Sequence, residues 1–334
     1  MLRVALLGAG RIGQVHAKSM TATTASRLVA VADVNAEAAQ DLAARIGAEA
    51  CSVDQIIADP SIDAVLIATS TDTHSDLITR ATAAGKAVLC EKPVDLSLDR
   101  ALATLKAAEA TGQPVMIGFN RRFDPSFKAL KAAFDGGEIG RGELLSITSF
   151  DPAPPPVSYI KVSGGLFRDM MIHDFDMACW IFGGAPATVS AQGAALVDPA
   201  IGDAGDVDTA VVTLVWDDGR MAVIRNSRRA GYGYDQRVEV LGSGGLLSAN
   251  NMLENTVEKI TTDGAVSAKP LHFFLERYMR AYEDEWTAFL DAVTTGAAMP
   301  VTLREGVAAL ACAEAATRSL KTGATVAITP DMLG

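Results

Sequence analysis

No stretch of the sequence reaches the roughly 18 consecutive apolar residues that a membrane span needs, and the chain opens on an apolar run and a glycine turn without a basic leader. A soluble, cytoplasmic protein with no membrane partner is expected. Massed lysine and arginine are missing as well. Twenty-nine basic residues face 40 acidic ones, and the formal charge of -11 argues against a nucleic-acid surface, which needs clustered cations to hold phosphates. The four cysteines, Cys51, Cys90, Cys179 and Cys312, form no CxxC pair and lie in or beside apolar runs, so buried free thiols are expected. The four histidines, His16, His74, His173 and His272, are equally dispersed and build no HExxH, so no metal site is expected. Long polar tracts are absent too, and nothing in the composition reads as disorder.

What is present is enough apolar material for two cores. The 334 residues, 49% apolar and 21% charged, exceed the roughly 100 to 200 residues of an ordinary domain. Over residues 1–120, short β-rich runs alternate with Ala- and Leu-rich helical stretches. The runs are Leu2 to Gly8, Leu28 to Ala32, Ala64 to Ala68, Ala87 to Cys90 and Val115 to Phe119; the stretches include Ala36 to Ile46, Leu77 to Ala84 and Leu98 to Thr111. This alternation predicts an α/β fold, a doubly wound parallel sheet with helices on both faces.

From about Gly142 longer strands prevail: Glu143 to Phe150, Thr209 to Trp216, Met221 to Ser227 and Arg237 to Leu241. Asp217-Asp218-Gly219 reads as a hairpin turn between the second and third. Residues 121–334 are therefore expected to form an α+β domain with a large, mainly antiparallel sheet. One apolar helix near Phe167 to Phe182 interrupts it, and amphipathic helices near Glu276 to Val293 and Leu303 to Leu320 close the chain. The proline-rich segment Asp151 to Pro156 is a stiff loop, since proline removes ladder donors. Val211, Thr213, Val215 and Val223 supply an alternating apolar face that another subunit would bury.

Gly8-Ala9-Gly10-Arg11-Ile12-Gly13 is G-x-G-x-x-G directly after the first strand and before a helix. The first glycine allows the tight turn, the second lets backbone approach a pyrophosphate, and the third lets helix and strand pack closely. The second strand then delivers Asp33, twenty residues beyond Gly13, where a carboxylate can accept from both ribose hydroxyls of an adenosine. Together they predict a Rossmann domain with a dinucleotide cofactor. Asp33 repels a 2′-phosphate and Val34-Asn35 offers no arginine for one, which favours NAD over NADP. Alone, Asp33 reads equally as a helix cap. Arg11 and Ile12 lie beside the phosphates, with Arg11 equally readable as solvated. The run Thr69-Ser70-Thr71-Asp72-Thr73-His74 follows another strand at its carboxyl end, where Thr69, Ser70, Thr71 and His74 are placed to touch the cofactor or simply to cap the next helix.

The following strand ends in Cys90-Glu91-Lys92-Pro93, which puts Glu91 and Lys92 at the same edge, where both are expected beside the cofactor. A lysine there can hold a substrate hydroxyl against the nicotinamide and stabilise a developing alkoxide, although by itself it reads as a surface lysine. On one helix Asp169, His173 and Asp176 would share a face amid Met170, Met171, Ile172 and Phe175. A polar stripe on so apolar a helix either lines a cavity or is a satisfied core histidine with its carboxylate. An imidazole suits removal of a hydroxyl proton near neutral pH.

Glu91-Lys92-Pro93, the glycine motif, Gly118-Phe119-Asn120-Arg121-Arg122-Phe123-Asp124, the Asp169 to Asp176 run and Gly231-Tyr232-Gly233-Tyr234-Asp235-Gln236-Arg237 together resemble the Gfo/Idh/MocA oxidoreductases, and within them the inositol dehydrogenase group. The resemblance spans essentially the whole chain. It implies NAD-dependent oxidation of a ring hydroxyl of a small polyol, myo-inositol to 2-keto-myo-inositol, with Lys92, Asp169 and His173 as catalytic residues and His173 as the base. It also implies Asn120 near the nicotinamide, Arg122, Tyr232 and Tyr234 at the substrate, and a homotetramer. Arg122 also reads as solvated and Tyr-Gly-Tyr as a bend. Where many relatives carry His-Arg-Asn-Pro, this chain has Ser149-Phe150-Asp151-Pro152, so Asp151 replaces a neutral amide beside the substrate and Ser149 a ring donor. Other readings are a dehydrogenase of scyllo-inositol or glucose, and a nucleotide-binding sensor without turnover.

Overall fold

Strands buried on both faces need unbroken apolar runs, and the first part of the chain supplies them. In the computed structural model, which describes residues 1–334, these runs form β1 (Leu2–Leu7), β2 (Ser26–Ala32), β3 (Glu49–Ala50), β4 (Ala64–Ile67), β5 (Ala87–Glu91) and β6 (Val115–Gly118). All neighbours pair in parallel, in the order β3-β2-β1-β4-β5-β6. Val4 to Leu7 and Ala64 to Ile67 are fully buried. The connecting helices are α1 (Arg11–Thr21), α2 (Ala36–Ile46), α3 (Val53–Ala58), α4 (His74–Ala83) and α5 (Leu98–Thr111). Asn35 starts α2 by accepting from the amides of Glu37 and Ala38, and Gly47, at φ +71°, ends it. The strand order reverses between β1 and β4, which opens a crevice at the carboxyl ends of the strands.

The second part alternates instead. Its strands are β7 (Gly142–Phe150), β8 (Thr188–Ala194), β9 (Thr209–Val215), β10 (Met221–Ser227), β11 (Asp235–Gly242), β12 (Gly245–Ala249), the exposed hairpin β13 (Glu258–Thr261) with β14 (Gly264–Ser267), and β15 (Val326–Ala327). Seven form one sheet in the order β12-β11-β7-β10-β9-β8-β15. Only β7 and β10 run parallel, so the sheet is mixed and mainly antiparallel. Asp217 to Gly219 makes the turn between β9 and β10, with Gly219 at φ +87°. Ala210, Val212, Leu214, Ala222 and Ile224 point into the core. Helices α6 (Pro125–Asp135), α7 (Val157–Ser163), α8 (Gly165–Asp169), α9 (Ile172–Phe182) and α10 (Pro199–Asp203) belong to this part.

The expected single helix near Phe167 to Phe182 is in fact two, α8 and α9. The amides of Met170 and Met171 both converge on the Leu166 carbonyl, and the ladder restarts from the Met171 carbonyl, which accepts from Asp174 and Phe175. Asp169 and His173 thus lie on either side of a break, and only His173 and Asp176, three apart on α9, keep a common helix face.

Contacts divide the chain into two compact units. One comprises Met1–Phe123, Arg280–Ala311 and Pro330–Gly334, the other Asp124–Met279 and Cys312–Thr329. The long helices α11 (Phe274–Thr295) and α12 (Leu303–Thr322) are each divided between them. All four cysteines are free; Cys90, Cys179 and Cys312 are buried and Cys51 is half-buried. No helix is long and apolar enough to cross a membrane.

Candidate active site

In the first unit, backbone shape carries the site. Gly8 sits at φ +107°, and a Cβ there would fall 2.3 Å from the Ala68 carbonyl oxygen. A Cβ on Gly13 would lie 2.0 Å from the Gly8 carbonyl oxygen, whereas one on Gly10 would meet nothing within 4 Å. Two glycines are therefore demanded by packing, and the third faces open space where backbone can meet a pyrophosphate. Asp33 accepts from the Ala9 amide at 2.6 Å and the Asn35 amide at 2.8 Å, which ties the turn to the end of β2. Arg11 is exposed at the first position of α1 and Ile12 is half-buried. The Thr73 hydroxyl donates to the Ser70 carbonyl at 2.8 Å, so the Thr69 hydroxyl, 2.6 Å away, donates to Thr73. Ser70 is exposed and Thr71 half-exposed on this loop.

His74 departs from its expected place at the cofactor. It is 1% exposed beneath the loop, with Nδ1 2.8 Å from the Pro93 carbonyl and Nε2 3.2 Å from that of Thr69. Burial pushes its pKa down despite both carbonyls. It braces one loop against the next. Lys92 is half-buried past the end of β5, and the Lys92-Pro93 peptide is cis. Glu91, in the strand's last position, is buried and accepts from the Lys92 amide. Asn120 is buried in a 3-10 turn, Asn120–Phe123, after β6. Arg122, expected at the substrate, is 4% exposed and pairs with Glu305 at 2.7 Å within the same unit. A buried cation needs a charged partner, and half-exposed Glu305 supplies it, fixing the exit from β6 to α12. Parallel registry from Leu7 through Ile67, Cys90 and Ile117 brings the glycine turn, Asp33, Thr69, Lys92 and Asn120 to one sheet edge.

In the second unit, side chains do the holding. Asp169 ends α8; its Oδ1 accepts from the Tyr159 hydroxyl at 2.9 Å and its Oδ2 from Arg228 at 3.2 Å. The Arg228 side chain is 2% exposed, so the pair is largely desolvated. His173 is half-buried in the first turn of α9, while Asp174 and Asp176 are buried, Asp174 accepting from Asn226 at 2.8 Å. Asp151 is half-exposed just past β7, and its amide donates to the Ser227 carbonyl. Ser149 is buried and donates to Gln236 at 2.8 Å.

Tyr232 and Tyr234 have separate fates. Tyr232 is 49% exposed and donates to Asp235 at 2.6 Å; burial of the hydroxyl and that bond push its pKa up to about 12. Tyr234, expected at the substrate, is 5% exposed and packs edge-on to Tyr278 and Phe273, so most of its ring belongs to an aromatic core. Asp235 also accepts from Arg237 and Asn251.

Sequence reading missed Arg228 and Tyr159, the anchors of Asp169. Arg228-Arg229 after a strand looks like a solvated basic pair, and Tyr159 follows the prolines without a pattern of its own.

The reversing parallel sheet, the glycine cradle and the carboxylate behind it define a dinucleotide-binding protein. Residues 2–119 match the model of an oxidoreductase family with an NAD-binding Rossmann fold, and residues 127–248 match the GFO/IDH/MocA C-terminal domain. The chain belongs to the Gfo/Idh/MocA oxidoreductase family, and its cofactor is NAD. It is 52% identical to an inositol 2-dehydrogenase of Rhizobium meliloti over 96% of this chain and 97% of that one. A crystal structure of a myo-inositol dehydrogenase from Corynebacterium glutamicum superposes with a TM-score of 0.94 at 44% identity, covering 99% of both chains. The scyllo-inositol dehydrogenase of Lactobacillus casei with NAD(H) and scyllo-inositol bound matches at a TM-score of 0.90 and 28% identity, over 98% of this chain and 99% of that one.

Proposed function

We propose that this enzyme oxidises a ring secondary hydroxyl of an inositol, converting myo-inositol to 2-keto-myo-inositol. The observation that carries this reading is the 52% identity to an inositol 2-dehydrogenase across nearly the whole of both chains, with Lys92, Asp169 and His173 all present. When bound, NAD supplies the hydride acceptor. His173 takes the hydroxyl proton, Lys92 steadies the oxygen as it gains charge, and Asp169, clamped by Tyr159 and Arg228, fixes the polar geometry around them. Loss of one hydride and one proton balances the change from alcohol to ketone. Asp151 and Tyr232 face the remaining hydroxyls in this proposal.

The test is NADH formation with myo-inositol, scyllo-inositol and glucose as alternative substrates. Turnover with myo-inositol is expected. Response to glucose alone overturns the inositol assignment, and NAD binding without turnover favours a sensor. His173→Ala lowers turnover by about 10² to 10⁴ with NAD binding intact.

We also place the protein in the cytoplasm as a homotetramer. Leu246, Leu241, Leu144, Met221 and Val215 stand directly opposite one another across β12, β11, β7, β10 and β9. Three of them, Leu246, Leu241 and Met221, are more than two-fifths exposed. Such an apolar row supports burial against another copy. Light scattering that returns a monomer mass sinks the assembly.

A further inference from the structure

Beside Lys92 lies a buried cluster of two acids and an imidazole for which the proposed chemistry has no use. Glu91 is its centre. One carboxylate oxygen accepts from the Lys92 amide at 3.2 Å, and the other lies 2.7 Å from His16 Nε2. An ionised carboxylate only accepts, so His16 Nε2 carries the hydrogen. His16 is fully buried in α1, the helix that begins at the glycine turn. The ring of Tyr282, from α11, stands edge-on to it at 5.3 Å. Glu285, one helical turn further along α11, is fully buried, and neither of its oxygens has a hydrogen-bond partner.

The charges sort themselves by environment. Burial pushes the Glu91 pKa up, but the bond and charge of His16, with Lys92 and His74, outweigh it and leave the carboxyl below its usual range. Burial and the Glu91 charge push Glu285 well above the usual carboxyl range. Glu91 is thus the anion of the cluster, faced by His16 from α1, His74 from α4, Glu285 from α11 and its neighbour Lys92.

We propose that His16 and Glu91 are positioning residues for Lys92: His16 orients the Glu91 carboxylate, which holds the Lys92 amide and sets a negative charge beside that lysine. The cofactor helix and the lysine turn are thereby joined through one buried hydrogen bond. The inference rests on the reading of Lys92 as the residue that steadies the substrate oxygen.

The test reads Lys92 directly. Acetylation of Lys92 by acetic anhydride at mildly alkaline pH, quantified by peptide mass spectrometry, reads the surroundings of the amine and requires no turnover. Glu91→Gln keeps the size and removes the negative charge that holds the lysine turn, so labelling should rise several-fold. In the same variant kcat should fall about 10-fold while KM for NAD stays within about 2-fold. His16→Ala should move both readouts in the same direction, and His16→Gln, which restores an N–H donor, should recover most of the loss. A merely structural role would lower melting temperatures and leave the labelling unchanged. Equal labelling in wild type and Glu91→Gln, with His16→Ala also unchanged, overturns the inference whatever the turnover. Raised labelling in an enzyme that oxidises no polyol would instead sink the proposed function and leave this placement standing.

Discussion

The cofactor cradle and the surroundings of Asp169 are built by opposite means. In the first unit the decisive positions have almost no side chain. Gly8 and Gly13 are where they are because the Ala68 and Gly8 carbonyls leave no room for a Cβ, and the Asp33 carboxylate serves the turn by accepting from its backbone. In the second unit Asp169 is held by side chains 10 and 59 residues away, from α7 and from just past β10. Backbone constraints are local and tolerate changes nearby. A side-chain clamp is assembled by the tertiary fold and fails when any one member is lost.

The sharpest way to break this contrast lies within the glycine motif. Gly8→Ala combines a positive φ with a Cβ 2.3 Å from a carbonyl oxygen, so NAD affinity should fall more than about 100-fold, with a clear drop in melting temperature. Gly10→Ala meets nothing within 4 Å. Its melting temperature should stay within about 2 °C of wild type while NAD affinity falls about 10-fold, because only ligand approach is obstructed. Equal melting losses in both variants would show that the cradle is not divided between packing and ligand access.

The clamp of the second unit is probed by Arg228→Met. Removing the cation leaves the Asp169 carboxylate, whose side chain is 14% exposed, without its charged partner. Breaking a buried pair in this way costs about 3–5 kcal/mol. Turnover should drop about 10- to 100-fold, with KM for NAD unchanged, since the cofactor cradle lies in the other unit. A variant with normal kcat and lowered stability would reduce Arg228 to a structural residue.

The same contrast governs what the sequence discloses. Parallel strands covered on both faces must be continuously apolar, so β1, β4, β5 and β6 were legible to within a residue or two, and with them the sheet edge on which Lys92 sits. A glycine that must be glycine is equally visible, because its reason lies within a few residues of chain. The hairpin at Asp217 to Gly219 belongs to this legible class. Other features left no local mark. The break at Met170 and Met171 lies inside an apolar stretch whose composition suits an unbroken helix, and only the pattern of carbonyl acceptors reveals it. Thr188 to Ala194 is too rich in small and polar residues to announce β8. Arg122 and Tyr234 carry polar groups that suggest a pocket, yet Glu305 and an aromatic cluster bury them. Family likeness supplies residue types at positions; whether each side chain faces substrate or core is decided by partners far along the chain.

Acid titration sharpens the contrast further, because side-chain anchors carry charge. Asp208 is fully buried; burial raises its pKa, but the amides of Leu196, Val197 and Asp198 and the Thr209 hydroxyl together lower it. A carboxyl depressed in the folded state stabilises above its unfolded pKa of about 3.9 and loses that contribution as pH falls through the folded value. The gap in melting temperature between wild type and Asp208→Asn should therefore be widest near neutrality and narrow below about pH 4. A gap constant with pH would mean that shape, not charge, holds this loop. The Arg228 amide donates to the Asp208 carbonyl, so a loosened loop should also reach the clamp.

The smallest effect belongs to Tyr232, where the two modes of construction meet. Its hydroxyl donates to Asp235, and with its pKa pushed up to about 12 it remains a neutral donor at every pH a dehydrogenase assay uses. It therefore contributes no limb to the pH profile. Asp235 keeps Arg237 and Asn251 when the phenol is removed, so Tyr232→Phe should cost only about 0.5–1.5 kcal/mol of stability. The residue as a whole is 49% exposed. If it lies against the substrate, KM for the polyol should rise a few-fold while kcat and the pH profile stay put. A new alkaline limb in the wild type that Tyr232→Phe abolishes would make the phenol a titrating participant and would move it from the scaffold into the chemistry.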